Sequence, residues 1–233
     1  MPNQKPSSSM RVLSLSDQEL EFIYSPSVAE RFADVDFVLG CGDLAYYYLE
    51  YLVDILGKPV FHVRGNHAAS VEYSTTGEER KAPWGGVDLH RRVVNFRGLL
   101  MAGFEGSIRY RKGPFMYTQA EMWNMVLAMV PRLIWNRARY GRALDVLATH
   151  APPWGVQDAP DPAHRGFKAF GWLLRVFRPL YHFHGHIHVY NKDAPVLTRY
   201  RRTQVINTYG YRETDLLIPQ LRDGKPMPGG GGT

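Results

Sequence analysis

With 233 residues, 45% of them hydrophobic, the chain is long enough to bury one sizeable core, and a single domain is the expectation. No apolar run reaches the length of a membrane span and the start is polar and Ser-rich, so neither a spanning helix nor a signal peptide is read; one cysteine, Cys41, excludes an internal disulfide and suits a reducing cytoplasm. The 28 Lys and Arg against 22 Asp and Glu are compatible with an anionic substrate or with nucleic acid, and charge alone does not decide between them.

Residues 1–9 read as a disordered tail, and 10–218 as the one folded domain. Arg11–Ser16 alternates apolar with small polar residues, the pattern of a strand, and ends at Asp17. Ser27–Phe32 reads as a short helix entered through Ser25-Pro26. Asp36–Leu39 is a second, buried strand running into Gly40-Cys41-Gly42-Asp43. A helix over Leu44–Leu56 stops at Gly57, and Pro59–Val63 is a third strand ending in Arg64-Gly65-Asn66-His67. Polar, Gly-rich Glu72–Arg92 reads as a long loop over the strand ends. Val93–Phe96 and Leu99–Phe104 form a strand pair.

Thr118-x-x-Glu121 is a capping box, and Met122, Met125, Val126, Met129 and Val130 follow at helical spacing as a core stripe. Pro131 is expected to break or kink that helix. Leu144–Ala148 is a strand, Trp154–Arg165 a Pro- and Asp-rich loop, and Phe167–Phe177 an amphipathic helix. Pro179–Phe183 leads as a strand into His182-Phe183-His184-Gly185-His186-Ile187-His188. Pro195–Thr198, Gln204–Asn207 and Leu216–Ile218 read as short closing strands, and residues 219–233, ending near four glycines, as a disordered tail.

Strand, helix, strand with polar residues at each strand's C-terminal end is the arrangement in which open α/β sheets bind ligands. Four histidines within seven residues read first as a metal site, since neutral imidazole is the commonest metal ligand, although exposed or structural histidines would give the same run. Gly185 is expected to end the strand, leaving His186 and His188 on the loop at its tip. His182 and His184 fit buried hydrogen-bonded roles as well as ligation. Taken in order, the strand ends carry Asp17, Gly42-Asp43, Gly65-Asn66-His67, Thr149-His150 and Gly185-His186-Ile187-His188. In these motifs, over roughly Met10 to Tyr211, the chain resembles the calcineurin-like metallophosphoesterases.

The resemblance implies an α/β fold, a four-layer α-β-β-α sandwich of two mixed sheets face to face with helices outside. It also implies two divalent or trivalent metal ions, with Mn, Fe or Zn favoured by mixed nitrogen and oxygen ligands. Asp43 would bridge them, Asn66, His150 and His186 would complete one site, and Asp17 and His188 would belong to the other. His67 would face the substrate as general acid. The implied activity is hydrolysis of a phosphomonoester or phosphodiester by hydroxide that the two metals activate. Arg64, Arg109 and Arg165 are candidate phosphate clamps, and His164 a candidate substrate contact. The small phosphorylated substrate is the expected partner, without membrane or nucleic acid, in a cytoplasmic protein whose oligomeric state is open.

One motif departs from the family pattern. Where its first motif ends in a histidine ligand, this chain has Asp17-Gln18-Glu19. Glu19 could ligate in its place, His184 could fill the gap, or water could. This departure is also what a metal-binding scaffold with weakened chemistry would carry. The basic pI makes a nuclease a third reading, although no basic-aromatic nucleic-acid motif supports it.

Overall fold

The computed structural model describes residues 9–74, 76–190 and 195–217. In chain order its elements are β1 (Ser9–Ser16), α1 (Val28–Arg31), β2 (Phe37–Cys41), α2 (Tyr46–Leu56), β3 (Val60–Val63), β4 (Glu72–Tyr73), β5 (Glu79–Arg80), β6 (Gly86–Asp88), β7 (Val93–Phe96), β8 (Leu99–Phe104), β9 (Ser107–Ile108), β10 (Met116–Tyr117), α3 (Gln119–Tyr140), β11 (Val146–Thr149), α4 (Lys168–Phe177), β12 (Tyr181–His184), β13 (Leu197–Tyr200), β14 (Thr203–Asn207) and β15 (Gly210–Leu217). Two mixed sheets result, in the orders β15-β1-β2-β3-β6 and β13-β14-β12-β11-β8-β7. β1, β2, β3 and β6 run parallel and β15 closes the edge antiparallel; β8, β11, β12 and β14 run parallel, with β7 and β13 antiparallel at the two edges.

Side chains alternate across each strand, and this alternation assigns them to layers. Phe37, Leu39, Phe61 and Val63 of the first sheet meet Met101, Val146, Ala148 and Phe183 of the second in one buried cluster between the sheets. Leu13, Leu15, Val38 and Val60 point the other way and pack with Val28, Phe32, Leu49 and Leu52 of α1 and α2. On the far side, Ala102, Leu147 and Val205 meet Met122, Val126, Leu133, Phe170 and Leu173 of α3 and α4. The molecule is therefore the expected four-layer α-β-β-α sandwich. Because β1, β2, β3, β11 and β12 end in the same direction, their C-terminal tips gather along one rim.

Several boundaries differ from expectation. Ser9, read as tail, already pairs with Leu217. α2 starts at Tyr46 rather than Leu44, with Ala45 extended as its N-cap. The 72–92 loop contains β6, which extends the first sheet beside β3, and the β4–β5 pair. The last strand spans eight residues because its partner β1 offers eight pairs. Ile218 and both predicted tails, 1–8 and 219–233, lie outside the described residues. Pro131 does not end α3: the helix runs on to Tyr140, capped by Thr118 and Glu121 as read, with Gly141 left-handed at its end. Buried Met129 and Leu133 on either side hold it to the sheet, so tertiary packing overrides the proline.

Pro131 is exposed and lacks the donor an α-helix needs at that position. Pro131→Ala is therefore expected to raise the unfolding free energy, by up to roughly 3 kcal/mol, in a denaturant titration. A lower midpoint in that titration would show that the ring itself is needed.

Candidate metal centre

Three of the strand tips turn through the left-handed region at a non-glycine residue: Asp17 (φ 62), Asp43 (φ 52) and His186 (φ 67). A backbone there is disfavoured for residues with a Cβ and persists where surrounding contacts over-determine it, commonly at functional sites. At Asp17 those contacts are visible. Its amide donates to the Gly42 carbonyl at 3.2 Å, and both its carboxylate oxygens accept from the His186 amide at 3.1 and 3.0 Å. At Asp43, Oδ1 accepts from the His67 amide at 2.8 Å while Oδ2 lies 3.2 Å from His150 Nε2. Two neighbouring glycines leave room for these carboxylates. A Cβ on Gly65 would overlap the Asp43 carboxylate, and one on Gly185 would stand 2.5 Å from Asp17 Oδ2.

Asp17, Asp43 and His150 each offer a ligand atom within 4.8 Å of the others. His150 is wholly buried; its Nδ1 donates to the Cys41 carbonyl at 2.9 Å and its Nε2 lies 3.0 Å from Asn66 Oδ1. Burial alone would lower the His150 pKa, but the Asp43 carboxylate outweighs it and raises the value to about 9. Burial likewise opposes ionisation of Asp43, and the His150 charge with the His67 amide holds its carboxyl well below the usual range. Asp17 is lowered in the same way, by His188 and His150 against burial. In the protein alone a proton on His150 thus sits among two carboxylates and an amide oxygen, where a cation is electrostatically favoured. The donor set of carboxylate, imidazole and amide oxygen fits a transition-metal ion. Asn66 Nδ2 is buried without a hydrogen-bond partner, so the amide is oriented by its oxygen.

The remaining predicted residues surround this core at different distances. The His186 ring centroid lies 4.9 Å from that of His150, while its Nε2 donates to the Ala163 carbonyl at 2.8 Å. Burial, with the His150 charge, lowers its pKa to about 3, so the ring is neutral. His188 Nε2 is 3.7 Å from Asp17 Oδ1, and its Nδ1 bonds the Tyr190 hydroxyl at 2.7 Å. The exposed His67 lines, with Glu19, Ala45 and Glu72, an open cleft of about 270 Å³ beside Asp43. The His164 ring stands 5.2 Å from that of His186, anchored by Asp161. Arg64 is committed elsewhere: its Nε donates to Glu105 Oε2 at 2.7 Å and its guanidinium lies over Phe115. Arg109 pairs with Glu121, and Arg165 lies over Trp154.

The structure sends Glu19 away from Asp17. Its carboxylate accepts the Ala45 amide at 3.0 Å and the Tyr47 hydroxyl, at the start of α2. The left-handed turn at Asp17 breaks the extended geometry that would point both side chains alike. Ala45 as N-cap carries no acceptor of its own, so the first amides of α2 need outside carboxylates; Glu72 serves the Tyr46 amide at 3.1 and 3.0 Å. An N-cap without a side-chain acceptor was the available signal for both roles. His184 does not fill the gap either, because its Nε2 bonds Gln157 Oε1 at 2.7 Å; His182 bonds Thr149 Oγ1 at 2.8 Å. Gln157, Ala163, Tyr190 and Tyr209 adjoin the centre without a motif to mark them.

The family model of the calcineurin-like phosphoesterases matches residues 17–190, well over half of the chain. No curated protein matches. Among solved structures, one crystal structure is similar with a TM-score of 0.61 at 16% identity, over 91% of this chain and 100% of that one. A second, of TT1561 of Thermus thermophilus, gives 0.56 at 13% identity, over 90% of this chain and 99% of that one. At such identities these likenesses speak for the fold alone, whereas the family model spans most of the sequence: the chain belongs to the calcineurin-like phosphoesterases.

Proposed function

We propose that the protein hydrolyses a small phosphate ester, monoester or diester, with two metal ions held at the rim. The observation that supports this most is the convergence of Asp17, Asp43 and His150 on one point, at the tips of strands from both sheets. Asp43 would hold both ions, since its two oxygens face different partners; Asn66, His150 and His186 would complete one site, and Asp17 with His188 the other. Bound there, such ions supply charge on the phosphoryl oxygens and a nucleophile at neutral pH. Mn, Fe or Zn suits these donors.

The chain's own residues do the rest. His67, exposed beside Asp43, would give a proton to the leaving oxygen. The His67 amide holds the Asp43 carboxylate and so ties the acid's backbone to the centre. The 72–92 segment and the 154–165 loop flank the rim and would choose the substrate. A second reading, a scaffold with weakened chemistry, is favoured by the position of Glu19, which leaves the Asp17 side with fewer protein donors.

The test is turnover of a chromogenic phosphomonoester and diester by chelated and Mn-reconstituted protein, with metal counted per chain. Metal-dependent turnover is expected; full metal loading with no turnover on either ester would favour the scaffold. Asp43→Asn should cost more activity than any other ligand change, whereas His67→Ala should lower turnover with metal content near the parent's. Loss of metal in the latter would remove the acid role.

Protonation offers an independent check on chelated protein. His150 has a folded pKa above its unfolded value, so its contribution to stability is present below about pH 6.5 and lost as pH rises through about 9. Asp17 and Asp43 are depressed, so theirs is present above the ordinary carboxylate range and lost in acid. Acid also charges His184 and His186, whose pKa values burial lowers to about 4 and about 3, so their contribution is lost below about pH 6.5 and melting temperatures should be highest between roughly pH 6 and pH 7. His150→Asn should abolish the alkaline fall attributed to this residue; an unchanged profile would contradict the assignment.

A further inference from the structure

The end of the sandwich opposite the metal centre is built from arginine. Asp145, just before β11, and Leu180, just before β12, mark this end, while His150 and Gly185 follow the same strands at the other; a four-residue strand separates them by roughly 13 Å. Arg137, Arg142, Arg178 and Arg202 line a cleft there of about 350 Å³, in which Asp145 is the one carboxylate among the described residues. That carboxylate is already taken: Oδ1 accepts from Arg142 Nε at 2.7 Å and Oδ2 from the Leu100 amide at 2.9 Å. Arg137, Arg178 and Arg202 are exposed and have no carboxylate partner among the described residues.

More arginines extend the cleft outward. Arg201 shares the β13–β14 turn with Arg202, and Arg199, two residues before it on β13, donates from its Nε to the Arg201 carbonyl. Arg97 sits on the β7–β8 turn, whose Gly98 carbonyl accepts from Arg142 at 2.8 Å. Arg175 accepts through its carbonyl from Arg178. Cations at the C-terminal ends of α3 and α4 offset the helix dipoles, which accounts for Arg137, Arg175 and Arg178. Helix ends do not account for arginines on the two hairpin turns. Val176, 39% exposed, lines the same cleft, and Ile134 and Trp135, 58% and 47% exposed, stand in solvent on the last turns of α3, the helix that carries Arg137. Arg132 lies over the Trp135 ring.

We propose that this face docks on a bilayer carrying acidic phospholipids. Arginines flanking a partly exposed tryptophan and aliphatic side chains are what an interfacial site needs: headgroup phosphates pair with the cations, and the apolar side chains enter the headgroup boundary. A nucleic-acid backbone would use the arginines but leave Ile134 and Val176 in water. A second copy meeting this face symmetrically would oppose arginine with arginine. No helix among the described residues is long and apolar enough to cross a membrane, so the attachment is peripheral. The metal rim then points into the aqueous phase.

The test is flotation of the full chain with vesicles of phosphatidylcholine alone or of phosphatidylcholine with phosphatidylserine. Binding is expected only to the latter, falling as salt is raised. The pair Arg178→Glu with Arg202→Glu should lower partitioning at least about 30-fold, from about 1 kcal/mol per cation near an acidic surface. Arg91→Glu with Arg111→Glu, the same change in net charge elsewhere, should leave it within about twofold. Trp135→Ala should weaken binding and remove the vesicle-induced blue shift of emission. Should the first pair melt early, Arg199→Glu with Arg201→Glu carries the same expectation. Equal binding to neutral vesicles, no binding to either, or equal loss in both charge-reversed pairs would overturn the proposal. So would duplex DNA that strips the chain from vesicles, or a dimer that the Arg178/Arg202 pair dissolves.

Discussion

Two carboxylates are buried together at the rim, and the rest of the structure accommodates them. The Asp17 side chain is 1% exposed and that of Asp43 10%. Burying like charges side by side is costly unless each is hydrogen-bonded and balanced. Here backbone amides from His186 and His67 reach the carboxylates, and His150 stands between them. Those amides come from neighbouring strand tips. Left-handed turns aim them, and glycines at 65 and 185 allow the approach. The parallel strands of two sheets are what bring the tips to one place, so the packing of Phe37, Phe61 and Phe183 between the sheets indirectly sets ligand spacing.

The same rim also holds a helix. Glu19 and Glu72, from segments far apart in sequence, both cap α2, whose first residues border the cleft beside His67. Loop and helix are thereby joined at the edge of the centre. Tyr46 strengthens the joint, its hydroxyl donating to the Ala69 and Lys81 carbonyls while its ring is buried.

What could be read in advance divides along a physical line. Short apolar strands with period two, helical spacing and the polar tips were legible because each depends on residues close in sequence. The strand positions of Asp17, Asp43, Asn66 and His150 and the capping box of α3 follow from such local patterns, whereas the four layers were implied by the family resemblance. Long-range pairing was not legible. Arg64 looked free for phosphate until Glu105, 41 residues on, took its Nε. Glu19 looked aligned with Asp17 until the backbone turned left-handed between strand and loop. Pro131 looked like a break because the apolar contacts of Met129 and Leu133 that override it lie on other elements. The basic runs 132–142 and 199–202 are visible in the sequence and read there as solvated faces; that they share one end of the fold with Arg97 and Arg178 depends on four separate turns and helix ends.

One pairing bears on how the molecule is made. β1, which presents Asp17, is covered on one flank by β15, so that Ser14 donates to the Arg212 carbonyl across 198 positions. Until those late residues leave the ribosome, β1 stands as a bare edge with open amides and carbonyls, the kind of edge that recruits strands from other chains. A nascent chain arrested before residue 210 would already contain every candidate ligand and still lack the seal on the strand that carries the first of them. Completion of the centre thus waits for the synthesis of β15, whose pairing with β1 spans about 200 positions.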